Sequence, residues 1–213
     1  MSQPLDLLIG LAMGLNLVAL GSGRLTTLIR IVSFQGVALG VMPLLLESHL
    51  RWHVALIALA TVTGKGFVIP GLLRHGMRSA NIEREMRPFL GYVPSLLLGA
   101  GGTIAAMALA RKLPLLSAQE SSLLVPGALA TVLTGFVLLI GRSKAISQVC
   151  GYLVLENGIY LFGLLLIHVT PILVEAGILL DLTVGVFIFG IILDRIQREF
   201  DSIDTRKLTA LRE

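Results

Sequence analysis

The sequence is short of charge, and that shortage excludes an ordinary soluble domain. Only 14% of its 213 residues are charged, whereas soluble domains carry about 25%. Hydrophobic residues make up 55%, and the mean hydropathy is +0.88. A soluble core cannot absorb so many apolar runs of helix length, but a bilayer can, because its hydrocarbon core of roughly 30 Å is crossed by about 20 helical residues. The composition therefore predicts an all-α integral membrane protein.

The sequence also has few of the residues that hold redox centres. Its single cysteine, Cys150, cannot form an internal disulfide, and one thiolate cannot hold an iron–sulfur cluster. Of its four histidines, His49, His53 and His168 lie near predicted helix ends and His75 lies in a loop. A membrane haem would need histidines that face each other deeper in the bilayer. We therefore expect neither a cofactor nor a metal.

Seven apolar runs, separated by turn or charge signals, are long enough to be membrane helices. Helical spans are expected because every backbone polar group in lipid must be bonded internally. No basic region or cleavage site precedes the first run, which we interpret as a retained helix. The runs cover about 5–22, 25–46, 53–73, 88–110, 122–141, 146–168 and 171–194.

The predicted spans define three regions and an orientation. Residues 1–111 form a four-helix region, 112–195 a three-helix region and 196–213 a tail, and a charged loop runs from Arg74 to Arg87. Thirteen Lys and Arg residues lie on the side that includes the tail, and three on the other. The positive-inside rule then places the C-terminus in the cytoplasm and the N-terminus outside. Because these basic residues sit in short connections without interleaved aromatics, the isoelectric point near 9.6 does not indicate nucleic-acid binding.

A weak internal similarity suggests a parallel repeat of three helices. A shift of 118 residues places Arg24 on Arg142 and Gly40 on Gly158, so that the first three spans overlie the last three. In transporters built from parallel repeats, sites cluster between the repeats. Two Gly-xxx-Gly motifs, at Gly10 and Gly36, predict close helix packing.

Three ionisable residues are predicted near the middle of the membrane: Lys65 in the third span, Glu156 in the sixth and Asp181 in the seventh. A charge at the centre of a membrane helix costs at least about 2.5–3.5 kcal/mol on insertion scales, and such residues usually face the protein interior on an ion path. Carboxylates and amines in a low-dielectric interior become able to exchange protons near neutral pH. The alternative is a purely structural lysine–carboxylate pair, which stabilises the packing of the helices and takes no part in ion movement.

Further polar side chains extend this candidate proton path. Tyr152 lies one turn before Glu156 on the same face, Asn157 is adjacent, and Gln148 lies two turns away. Together they predict a polar file through the sixth span. Glu175, near the outer end of the seventh span, is a candidate for the mouth of the path or for a headgroup contact.

Four segments of the sequence resemble component E of hydrogenase 4, a membrane subunit of group 4 nickel–iron hydrogenase and formate hydrogenlyase complexes. Length and helix number match as well. The last three spans are also similar to the K subunit of complex I and to the matching subunit of multisubunit cation/proton antiporters. The segments are GYLVLENG at 151–158, LVEAGI at 173–178 with Asp181 after it, TGKGFVIP at 63–70 and LTALR at 208–212.

The resemblance implies a cofactor-free, non-catalytic subunit of a respiratory complex in a bacterial or archaeal cytoplasmic membrane. Its partners would be antiporter-like and hydrogenase-anchoring subunits, and it would carry part of the polar axis that couples electron transfer to proton or sodium movement. Asp181 matches the second membrane glutamate of the K family. Glu156 lies three residues after the position of the first, which is Leu153 here. A cation/proton antiporter subunit, a stand-alone ion transporter and a structural spacer remain alternatives.

Overall fold

The computed structural model describes residues 3–46, 52–79, 89–113 and 123–165, together with the single positions 177 and 190. Within these ranges the regular structure is helical and no β-strand occurs. The helices are α1 (Gln3–Gly21), α2 (Leu25–Leu46), α3 (Trp52–Thr61), a π-helical segment (Val62–Val68), α4 (Ile69–Ser79), α5 (Tyr92–Ala110), α6 (Leu124–Gly141) and α7 (Ala145–Leu165).

The described helices form six spans that are long and apolar enough to cross a membrane, since α3, the π segment and α4 follow one another without interruption as the third span. They correspond to the first six predicted spans. The predicted loop at Arg74 was placed too early, because the helix continues to Ser79. The predicted seventh span, which holds Glu175 and Asp181, and the tail at 196–213 lie outside the described residues. The seventh span and the orientation stay predictions.

Close contact between α6 and α7 forms the most extensive helix interface of the described residues. Glycines make it possible: a Cβ on Gly151 would lie 2.7 Å from the Leu139 nitrogen, and one on Gly158 would lie 2.6 Å from the Val132 nitrogen. Small residues permit such an approach because no side chain separates the two backbones. The two helices therefore pack as a unit, and α1, α2 and α5 pack around it.

The α2 helix is the central neighbour of the third span and also contacts α1 and α7. The motif at Gly36 lies in this contact, because a Cβ on Gly36 would lie 2.7 Å from Lys65 Cβ, and one on Gly40 would lie 2.7 Å from Val62 Cγ2. The motif at Gly10 behaves differently, because no described atom lies within 4 Å of a Cβ on Gly10 or Gly14. Among the described residues, only the motif at Gly36 therefore lies in a helix–helix contact.

Apolar side chains cover the outer surface of the described helices. Leu7 of α1, Phe34 of α2 and Ile104 of α5 each expose more than half of their surface. Outward-facing apolar side chains on long helices are the pattern of a lipid-facing surface. The arrangement is that of a multi-pass membrane protein.

The helix boundaries follow the 118-residue shift of the predicted repeat. Shifted by 118, α1 would cover 121–139 and α2 would cover 143–164, and the observed α6 (Leu124–Gly141) and α7 (Ala145–Leu165) differ by at most three residues at either end. The third members of the repeat cannot be compared, since the seventh span lies outside the described residues. Common descent of the two halves stays a prediction.

Candidate functional site

Two of the predicted mid-membrane charges form an ion pair. The Nζ atom of Lys65 lies 3.0 Å from Oε1 of Glu156, and the side chains expose only 4% and 2% of their surface. A buried charge is tolerated where a partner and hydrogen bonds compensate it. The pair joins the third span to α7, across 91 residues of sequence.

Lys65 owes its position to the π segment. The backbone N–H of Ile69 donates to the carbonyl of Gly64, five residues earlier, which is the π pattern. One additional residue in a turn rotates the following helix face by about 100° relative to an uninterrupted α-helix. Single π turns inside α-helices occur often at functional sites.

Tyr160 also lies beside the lysine. It follows Glu156 by one helical turn, and its ring centroid lies 5.3 Å from Lys65 Nζ. An ammonium group within about 6 Å of an aromatic ring is attracted by the negative face of the ring. One face of α7 therefore supplies both the anion and the ring that contact Lys65.

A buried hydrogen-bonded group, the amide cluster, consists of Asn16, Gln35, Thr131 and Asn157. Gln35 Nε2 donates to Asn16 Oδ1 at 2.8 Å and to the Ala12 carbonyl at 3.1 Å. Asn16 Nδ2 donates to Thr131 Oγ1 at 2.9 Å, and Asn157 Nδ2 donates to Gln35 Oε1 at 3.5 Å. The cluster thereby links α1, α2, α6 and α7.

The amide cluster and the ion pair are adjacent in the fold. Asn157 follows Glu156 on α7, and Gln35 precedes Gly36, the glycine that contacts Lys65. All four members of the cluster expose 2% of their surface or less. Together the two groups make one polar interior that involves every described span except α5.

The predicted path residues fall into four groups. Lys65 and Glu156 are brought together, and Asn157 joins the amide cluster. Tyr152 is half-buried and packs against an apolar cluster around Leu20. Glu175 and Asp181 lie outside the described residues. The roles of all six residues in ion movement stay predictions.

Gln148 serves a different part of the fold than the predicted polar file. Its Nε2 atom donates to the carbonyl of Arg142 at 3.0 Å, so it binds the connection between α6 and α7. The polar side chains that do accompany Glu156 are Asn157 and Tyr160 of the same helix, together with side chains from the third span, α1, α2 and α6.

Thr131 and Arg142 are two of the buried polar residues to which the sequence pattern does not point. Thr131 carries no charge and sits in an apolar run, so its pattern gave no signal. Arg142 was assigned to a loop, yet it exposes 1% of its surface. Its Nη2 atom donates to the Leu20 carbonyl at 2.7 Å, and its guanidinium lies 4.9 Å from the Tyr92 ring centroid. Burial lowers the pKa of the Arg142 guanidinium.

Among the described residues, no three His, Cys, Asp or Glu side chains are grouped closely enough to hold a metal ion. In the part of the chain that the structure describes, the polar interior contains one carboxylate, that of Glu156, and its cation partner is Lys65. The described side chains of this interior form hydrogen bonds and one ion pair.

Comparison with known proteins identifies relatives by sequence. The chain is 33% identical over 192 residues to the uncharacterized protein Rv0085 of Mycobacterium tuberculosis, a match that covers 89% of this chain and 87% of that protein. It is also 33% identical over 101 residues to hydrogenase-4 component E of Escherichia coli strain K12, and to the same component of Shigella flexneri. The latter matches span 47% of this chain and 46% of those proteins. No family model and no solved structure matches.

Proposed function

This chain belongs to the family of the Mycobacterium tuberculosis protein Rv0085, and we propose that it is a non-catalytic membrane subunit of a hydrogenase-4-like, complex I-related respiratory complex. In this role it contributes part of an intramembrane polar axis that couples electron transfer to the movement of protons or sodium ions. The observation that carries the proposal is the buried ion pair of Lys65 and Glu156 inside membrane-spanning helices.

The similarity to hydrogenase-4 component E supports membership of a multisubunit complex. The match extends over 101 residues, about half of each chain. A component of a larger assembly is expected to expose apolar surface to neighbouring subunits as well as to lipid, and α5 has such a surface at Val93, Leu97 and Ile104. Antiporter-like and hydrogenase-anchoring membrane subunits are the partners that we propose.

The ion pair supports a role in ion movement because of its energetic cost. Each charge is expensive in the membrane, and a buried pair is often no more stable than apolar residues of the same volume. A charged pair therefore has a function beyond packing when one partner can exchange a proton or move away from the other. The adjacent amide cluster provides polar atoms along the same interior. We propose that Tyr152, Glu175 and Asp181 continue the path toward neighbouring subunits.

Co-purification tests membership of the complex. The chain, tagged in its native host and extracted in mild detergent, is expected to carry antiporter-like membrane subunits and a hydrogenase-type or related large subunit, identified by mass spectrometry. Isolation of the chain as a lone protein that moves protons in liposomes with an enclosed pH dye would instead indicate a stand-alone transporter.

Substitution of the carboxylate tests the coupling role. In inverted membrane vesicles, Glu156→Gln is expected to abolish most respiration-driven proton or sodium uptake while electron transfer continues in the assembled complex. Asp6→Asn is a matched control, because this carboxylate lies at the start of α1, where it accepts the Leu123 N–H. Normal ion uptake by an assembled Glu156→Gln complex would identify the chain as a structural spacer.

A further inference from the structure

Ser33 contacts the third span at the point where its backbone is interrupted. Its Oγ atom donates a hydrogen bond to the carbonyl of Gly66, next to Lys65. The bond joins α2 to the π segment. Neither the pattern of the sequence nor the relatives assigns Ser33 a role.

The carbonyl of Gly66 lacks its usual α-helical donor because of Pro70. In an uninterrupted α-helix the N–H of residue 70 would donate to the carbonyl of residue 66, but proline has no N–H. A carbonyl without a hydrogen-bond partner in lipid or in a buried interface is energetically costly. The Ser33 hydroxyl supplies the donor, and it does so from a different helix.

Contacts about one helical turn after Ser33 hold the π segment against α2. A Cβ on Gly36 would lie 2.7 Å from Lys65 Cβ and 2.8 Å from its carbonyl carbon. A Cβ on Gly66 would lie 2.6 Å from Val37 Cγ2. The backbones of α2 and the π segment therefore touch around Lys65, and Ser33 is the side chain that bonds them.

We propose that Ser33 is a positioning residue that fixes the π segment in the register in which Lys65 reaches Glu156. A return of the segment to α-helical geometry rotates Lys65 by about 100° relative to the helix that follows. The 3.0 Å contact with Glu156 does not survive such a rotation. This inference gives Ser33 a part in the proposed ion movement, but its test concerns geometry alone, so it can fail or succeed independently of that proposal.

The test is a measurement of the Lys65–Glu156 contact by solid-state NMR. The full chain, labelled with [15Nζ]lysine and [13Cδ]glutamate in lipid nanodiscs, is expected to show strong dipolar dephasing from the 3.0 Å pair, and Glu156→Gln assigns the signal by removing it. Ser33→Ala is expected to abolish this dephasing, and Ser33→Thr, which keeps the hydroxyl, is expected to retain it. Unchanged dephasing in Ser33→Ala would overturn the proposal.

Two further variants separate positioning from general stability. Ser147→Ala removes a comparable hydrogen bond, from Ser147 Oγ to the Lys144 carbonyl at 2.7 Å, and is expected to leave the dephasing unchanged. The double variant Ser33→Ala/Pro70→Ala restores an N–H donor for Gly66 within its own helix. It is expected to fold even where Ser33→Ala alone does not, and still to lack the Lys65–Glu156 dephasing. A double variant that keeps the contact would show that Ser33 does not set the register.

Discussion

At the scale of single residues, Lys65 and Glu156 each depend on the other to compensate a buried charge. Either side chain alone would leave an uncompensated charge among buried atoms, whereas loss of both leaves an apolar contact between helices that are already packed. The two residues expose 4% and 2% of their surface, so water does little to screen them. Their energetic coupling is therefore expected to be large.

A double-mutant cycle measures this coupling. Lys65→Met and Glu156→Gln are each expected to lower the free energy of unfolding by about 3–5 kcal/mol. The double variant should lose less than the sum, with an interaction energy of about 1–3 kcal/mol. Unfolding of the purified chain in mixed micelles, followed by circular dichroism, gives the four values. Additive effects would contradict the ion pair.

Arg142 is a second buried cation, and it works at the connection between α6 and α7. Its bond to the Leu20 carbonyl and its contact with Tyr92 require a planar guanidinium that donates and stacks at once. Lysine can make one of these contacts but not both. The side chain thus ties the ends of α1 and α5 to that connection.

Arg142→Lys is expected to lower the free energy of unfolding by about 1–3 kcal/mol, since a buried charged hydrogen bond is lost. Arg24→Lys, at the equivalent position of the proposed repeat, is the matched control because Arg24 is exposed. It should change stability by no more than about 0.5 kcal/mol. The same unfolding assay compares them, and equal losses would show that the contacts of Arg142 contribute nothing particular.

At this scale the sequence pointed to Lys65 and Glu156 as interior charges and left open whether they pair. Lys65 and Glu156 were assigned to the middle of their spans, but hydropathy carries no information on which face of one helix meets another. Arg142 was assigned to the short connection after the fifth predicted span, and its burial was not predicted. Its burial depends on Leu20 and Tyr92, which are distant in sequence, and no local pattern reports that.

At the scale of elements, α2 packs directly against the third span. Gly36 and Gly40 allow its backbone to contact Lys65 and Val62 directly. Gly10 and Gly14 form the same motif on α1, but the described residues leave them open. The motif at Gly36 thus determines a helix contact, whereas the motif at Gly10 has open space around it among the described residues.

Alanine substitutions compare the two motifs. Gly36→Ala is expected to cost about 1–3 kcal/mol in free energy of unfolding, because its Cβ would overlap Lys65 and the backbone must shift. Gly10→Ala should be neutral or stabilise by about 0.5–1 kcal/mol, because alanine loses less backbone entropy in a helix than glycine does. Thermal unfolding in detergent ranks the variants. A larger cost at Gly10 would mean that a partner or another part of the chain packs there.

The elements were the part of the fold that the sequence predicted well. Apolar runs and turn residues located six spans, because a bilayer imposes length and composition on each helix separately. The π segment was not anticipated. Gly64, Gly66 and Pro70 are compatible with a kink, a break or a π turn, and the choice depends on the donor that Ser33 provides from α2.

At the scale of the whole molecule, the polar interior lies between the two halves of the proposed repeat. Asn16 and Gln35 come from the first half, and Thr131 and Asn157 come from the second. Each half alone would leave amide groups exposed to lipid, which is costly. The halves are therefore expected to be stable only together.

Cysteine accessibility tests the predicted orientation. In a Cys150→Ser background, Ser143→Cys and Leu113→Cys place single thiols at exposed positions at opposite ends of the spans. A membrane-impermeant maleimide added to intact cells is expected to label Leu113→Cys and to spare Ser143→Cys until the membrane is opened. The reverse pattern would place the N-terminus in the cytoplasm.

The separation of Lys65 and Glu156 in the chain has a consequence for biosynthesis. Glu156 is made 91 residues after Lys65, which takes roughly 5–20 s at ordinary rates of translation. During that interval the third span has to enter or wait beside the bilayer with its lysine unpaired. A nascent chain stalled before Glu156 is therefore expected to remain in contact with the insertion machinery, and the arrival of α7 would release the third span into lipid.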